Sequence, residues 1–187
     1  MLTDFIDKYQ TAKIVLLQTT YMHLAVGDGV FKIAFKDKAE YFLKRGKSGP
    51  LSYYTNHPLL LNHNEPRTTL YINSKPPDPQ SLLEDIVTGI NAIYQDWRDW
   101  RTTLFGNRKQ AAAALAQQNL LHGNGILLDY APAPIVRAVI AACEKHGVAT
   151  RYFGSLEAIP SPRGEFKVLF IGPYYVIARD FRISTVS

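Results

Sequence analysis

The sequence predicts an α+β fold: an N-terminal antiparallel β meander, two central helices of which one is long and amphipathic, and a C-terminal βαβ unit followed by a β-hairpin. Three observations carry this reading. Apolar residues alternate with polar ones in short runs through the first 75 residues, the mark of half-buried strands. A proline cluster at 76–79 is followed by a long stretch of helical periodicity. Downstream, strand-like, helix-like and strand-like segments succeed one another, the order that builds a βαβ unit.

Taken in order, Lys13 to Leu24 is rich in Ile, Val, Leu and Thr, and the Asp28-Gly29 signal marks a tight hairpin into Val30 to Phe35. In that second strand Phe31, Ile33 and Phe35 form the dry face, so that Lys36 and Lys38 point to water. Tyr41 to Leu43 reads as a short third strand, and Leu51 to Leu61 and Thr68 to Ile72 as two more, joined by a turn at Asn62 to Pro66. Gln80 to Phe105 places Leu82, Ile86, Ile90, Tyr94, Trp97 and Trp100 in one apolar stripe, with Gly106-Asn107 as its stop. Arg108 to Leu121 is the second helix, ended by Gly123-Asn124-Gly125. Ile126 to Tyr130 and Val148 to Phe153 flank the helix Pro134 to His146, and these two strands are expected to run parallel. Val168 to Ile171 and Tyr174 to Phe181 form the terminal hairpin around Gly172-Pro173.

A length of 187 residues suits a single domain, with the prolines at 76–79 as the place where it would subdivide. One cysteine, Cys143, excludes an internal disulfide and a Cys-rich zinc module; it falls on the apolar stripe of its helix, as an inert core thiol does. No apolar stretch approaches the ~18 residues of a membrane span, and acidic residues and Lys8 precede a short apolar run in the wrong order for a secretory leader. The chain is therefore expected to be soluble and cytoplasmic, without membrane partners. Its net charge is +5, and most of the excess lies N-terminal: ten basic against six acidic residues up to Lys75, eleven against ten beyond. Anionic partners are favoured, mildly.

No motif specifies a reaction. A phosphate-cradling Gly-rich turn after a strand is absent, no short-spaced His pair offers a metal site, and no Gly-x-Ser-x-Gly supports a nucleophile, so no cofactor and no metal are expected. The densest polar cluster is 62–67. There His63 oriented by Glu65 would serve acid/base chemistry and Arg67 would hold an anion, with Asp129 at the end of a strand as a further carboxylate. Lys44, Arg45 and Lys47 interleave with aromatics, including Tyr53 and Tyr54, around a loop, which suits single-stranded nucleic acid. In Asp96-Trp97-Arg98-Asp99-Trp100-Arg101, Arg98 and Arg101 beside the tryptophans suit a protein partner; Arg101 falls inside the apolar stripe and is expected to snorkel, to stack on Trp97, or to meet a carboxylate. The leading expectation is a non-enzymatic interaction or regulatory module with another protein as partner. The alternatives are a small hydrolase or transferase acting on an anionic substrate, and a single-stranded nucleic-acid binder.

Overall fold

A computed structural model describes residues 2–105, 111–158 and 161–186. The fold is α+β, with every strand pair antiparallel. The chain divides into two compact units, Met1–Asn64 with Pro160–Ser187, and Glu65–Ile159.

The first unit contains helix α1 (Leu2–Lys8) and strands β1 (Thr11–Leu17), β2 (Tyr21–Val26), β3 (Gly29–Lys36), β4 (Glu40–Phe42) and β5 (Ser48–Tyr54). Helix α2 (Leu61–Asn64) follows, and beyond the second unit come β9 (Lys167–Ile171), β10 (Tyr174–Ala178) and β11 (Asp180–Thr185). Hydrogen bonding runs β11-β3-β2-β1-β5-β9-β10-β4. Only residues 37–39 separate β3 from β4, and only Arg179 separates β10 from β11. The first bent pair lies against the second along its whole length, with Lys36 opposite Asp180 and Glu40 opposite Ile177. The ends of the order are thus continuations of strands already in it, and the ring closes as a six-stranded antiparallel barrel in which β4 and β11 each pair with one strand.

Alternation fills the barrel. Ile14, Met22, Leu24, Ile33, Leu169, Ile171 and Val176 are buried in one cluster drawn from successive strands. The opposite face of β9 and β10 (Val168, Phe170, Ile177) is covered by Leu59 and Leu60 from a 3₁₀ turn at Pro58–Leu60. His57 caps that turn: its Nδ1 accepts from the Leu59 N–H at 3.2 Å, and burial pulls its pKa down. Phe5 of α1, Tyr9 and Phe31 pack together with ring centroids 4.9–5.4 Å apart. Gly49 is required by close approach, because a Cβ there would lie 2.5 Å from the Cα of Gly172.

The second unit contains β6 (Arg67–Ile72), α3 (Pro79–Tyr94), α4 (Trp100–Phe105), α5 (Ala111–His122), β7 (Gly125–Pro132), α6 (Ala133–Lys145) and β8 (Thr150–Gly154). Its sheet has the order β7-β6-β8. Asp78 caps α3 by accepting from the Gln80 and Ser81 N–H groups, with Pro79 in the first turn. Helices α3 and α6 pack together; Gly89 faces Ala138, and Asp85 accepts from Lys145 Nζ and lies against His146 Nε2, both at 2.7 Å. Cys143 is fully buried, and burial pushes its thiol up to about 11. No helix among the described residues is long and apolar enough to cross a membrane.

Several expectations are corrected. Helix α1 has no counterpart in the sequence reading. Lys13 to Leu24 is two strands, parted at 18–20. The turn from β2 to β3 is Gly27-Asp28, with Gly27 at φ 55° taking the left-handed position. The run from Leu51 ends as a strand at Tyr54, and the expected turn at 62–66 is partly the helix α2. The N-terminal antiparallel meander is present as β1-β2-β3, whereas β4 pairs with β10 and β6 belongs to the other unit. The long helix stops at Tyr94, where Gln95 (φ 49°) and Asp96 (φ 66°) turn left-handed. The apolar stripe stops with it, and Trp97 is 44% exposed. Strands β7 and β8 do run in one direction, but each is antiparallel to β6, which lies between them. The expected last strand, Tyr174 to Phe181, is divided at Arg179 into β10 and β11. The expected stop at Gly106-Asn107 and the first residues of the second helix, 108–110, lie outside the described residues.

Candidate nucleic-acid interface

The barrel unit holds twelve of the Lys and Arg residues against seven Asp and Glu, while the second unit holds nine of each. The whole net charge of +5 therefore belongs to the barrel unit. Its outer wall is fixed by alternation: where Ile14, Met22, Leu24, Ile33 and Phe181 point inward, Lys13 on β1, Tyr21 and His23 on β2, Lys32 and Ala34 on β3 and Arg182 on β11 point outward. Register makes them neighbours, with His23 opposite Lys32, Tyr21 opposite Ala34, and Arg182 on the other side of Ala34.

Two half-buried rings form the centre of this wall. Tyr21 and His23 lie 5.3 Å apart at 34°, and Lys32 Nζ sits 4.3 Å over the Tyr21 ring. Around Ala34 a groove of about 390 Å³ is lined by Phe35, Lys36, Asp180 and Arg182. Asp180 is the carboxylate here; its Oδ2 lies 3.5 Å from Arg182 Nε, and both are exposed enough for solvent to screen the pair.

The expected basic loop borders this wall. A bulge in β1 between Ile14 and Leu16 turns the Val15 carbonyl away from β2, and Arg45 Nε donates to it at 2.9 Å. The Ile14 N–H donates to the Lys47 carbonyl at 2.8 Å, which lays the loop along β1; Lys44, Arg45 and Lys47 are exposed. Tyr53 does not join them. Alternation on β5 turns it toward the barrel core, edge-on to Phe181, while Tyr54 packs by His57 and Phe170.

The residues expected to do acid/base chemistry are distributed over the two units. His63, in the first, lies 3.2 Å from Glu40, which also accepts from the Tyr175 hydroxyl at 2.6 Å. Its carboxylate neighbour is thus Glu40 of β4, whereas Glu65 begins the second unit. In the second unit Arg67 donates to the Tyr130 carbonyl at 3.0 Å, and the Thr69 hydroxyl donates to Asp129 at 3.3 Å. A bulge between Thr68 and Leu70 in the β6–β7 pairing carries Tyr130 at φ 50°. Burial lowers the Arg67 pKa, Tyr94 and Tyr130 oppose that, and Arg98 adds to it. Arg101 stacks at 4.6 Å on Trp100 rather than Trp97 and meets Asp99 at 3.4 Å. Among the described residues no group of three His, Cys, Asp or Glu could hold a metal ion.

Tyr21, His23, Lys13 and Arg182 were not among the sequence candidates. The alternation around Tyr21 and His23 was readable, but the pairing that brings Arg182 to the same wall spans almost the whole chain. No family model matches the chain, and neither a curated protein nor a solved structure does.

Proposed function

We propose that the chain is a non-enzymatic binding protein that takes single-stranded nucleic acid along the outer wall of its barrel. The observation that carries this reading is the concentration of the net charge on the barrel unit, with Lys13, Lys32, Lys36 and Arg182 arranged around the Tyr21–His23 rings. Cations neutralise phosphates and rings stack on bases, a combination that suits a strand whose bases are free. Lys32 is a flexible cation over Tyr21, and it can swing to a phosphate as a base takes its place. His63, Arg67 and Asp129 are engaged in contacts that hold strands and helices, which favours binding over catalysis.

The test is fluorescence anisotropy with a labelled single-stranded oligonucleotide at about 50 mM salt and upward. Four strand cations predict a slope of log Kobs against log salt near about −2.8, from about −0.7 per phosphate. The triple variant Lys13→Glu, Lys32→Glu, Lys36→Glu is expected to abolish binding with its melting temperature kept. Absence of wild-type binding at the lowest salt, or binding indifferent to the triple variant, overturns the proposal; in the first case an acidic protein surface is the remaining occupant.

A further inference from the structure

The second unit carries an open sheet edge. Strand β8 pairs with β6 on one side, and no strand among the described residues pairs with its other side. Thr68, Leu70 and Ile72 of β6 are fully buried, so the register Thr69 to Phe153 and Tyr71 to Arg151 places Phe153 and Arg151 on the opposite, open face. Phe153 is 76% exposed and Tyr152 is 48% exposed. The strand Thr150-Arg151-Tyr152-Phe153-Gly154 has no proline and no bulge in its pairing, two of the devices by which proteins blunt such an edge, and carries a single charge, Arg151.

We propose that a second copy of this chain completes the edge, β8 pairing antiparallel with its own copy about a two-fold axis through Tyr152. The strand is complementary to itself in that register. Tyr152 lies opposite Tyr152 of the second copy, and Arg151 lies opposite Phe153 in both directions, on the same open face. The Arg151 guanidinium already lies 5.2 Å from the Tyr71 ring centroid, and its other face is then covered by the incoming Phe153 ring. The contact is isologous and closes at two copies, turning two three-stranded sheets into one of six. Nucleic acid is a poor occupant of this edge, because the second unit has as many acidic as basic residues. The inference is independent of the nucleic-acid reading, which concerns the barrel alone.

Sedimentation velocity over a dilution series up to about 100 μM tests it on the full chain. The wild type is expected to be a dimer that dissociates on dilution. Phe153→Lys sets like charges opposite each other twice and gives a monomer. Phe153→Glu sets a carboxylate opposite each Arg151 and stays dimeric, and Arg151→Glu combined with Phe153→Lys restores the dimer. Phe153 is exposed, so the Phe153 variants keep the wild-type circular dichroism, and at a dilution where the wild type is monomeric they keep its melt as well. A wild-type monomer at the highest concentration, a dimer unaffected by Phe153→Lys, or equal loss in Phe153→Lys and Phe153→Glu overturns the proposal; equal loss marks a contact that is merely apolar.

Discussion

Replacing Gly49 by alanine tests the closure of the barrel at its most crowded point. The new Cβ would sit 2.5 Å from the Cα and 2.7 Å from the N of Gly172, and 3.2 Å from the carbonyl carbon of Ile171. All three are backbone atoms, so no side chain can rotate aside and β5 must part from the β9–β10 turn. Overpacking of this kind costs about 1–3 kcal/mol. The Gly172 N–H donates to the Pro50 carbonyl at 2.7 Å across the same gap, and weakening that bond adds about 0.5–1.5 kcal/mol. A loss of about 3 kcal/mol moves a urea midpoint by about 1.5 M at a slope near ~2 kcal/mol/M. Gly46→Ala is the control: it has φ 79° and no atom within 4 Å of the new Cβ, so it pays only the left-handed backbone cost of about 1–2 kcal/mol. A loss below about 0.5 kcal/mol for Gly49→Ala would refute the close pairing of Gly49 with Gly172.

Chemical denaturation should show Ile90→Ala costing about 2–5 kcal/mol, since its side chain is fully buried. Trp97→Ala, at 44% exposure, should cost clearly less, and equal losses would place Trp97 back in the core. The Cys143 thiol, buried and pushed up to about 11, should resist a soluble thiol reagent at about pH 8 in the native protein and react on unfolding. Asp85 has its pKa lowered first by the hydrogen bond from Lys145 and then by that from His146. Its contribution is therefore present above the unfolded carboxylate pKa and lost as pH falls through the folded one. Melts should show Asp85→Asn less stable than wild type at about pH 7, with the gap closing toward about pH 2; a gap constant with pH would refute the linkage.

Local rules made much of the fold readable. Phe31, Ile33 and Phe35 announce which side of β3 is dry, Asp78-Pro79 announces the start of α3, and Gly147 at φ 66° announces the end of α6. The break after Tyr94 was hidden, because Gln95 and Asp96 are ordinary helix-surface residues that here adopt a left-handed backbone. Barrel closure was hidden for a different reason: alternation assigns a face to Phe35 and to Phe181 but says nothing of their being opposite each other. The candidate wall shared that limit. Lys32 and Tyr21 are legible as outward residues, whereas Arg182 becomes their neighbour only through pairing of β3 with β11.

The barrel is discontinuous in the chain, and this bears on how it forms during synthesis. Strands β1 to β5 leave the ribosome first and wait, apolar side unsatisfied, for β9 to β11. The intervening stretch of about 95 residues is a compact unit whose entrance and exit strands are paired, Thr68 opposite Gly154. Once that unit has folded, it holds its own ends together, and the chain to be looped shortens from about 95 residues to about a dozen. At (3/2)RT ln n, this lowers the entropic cost of bringing the barrel halves together by about 2 kcal/mol. The inserted unit thus acts as a kinetic tether, and slowing its folding should delay the appearance of the β3–β11 pairing even though no residue of the barrel has been changed.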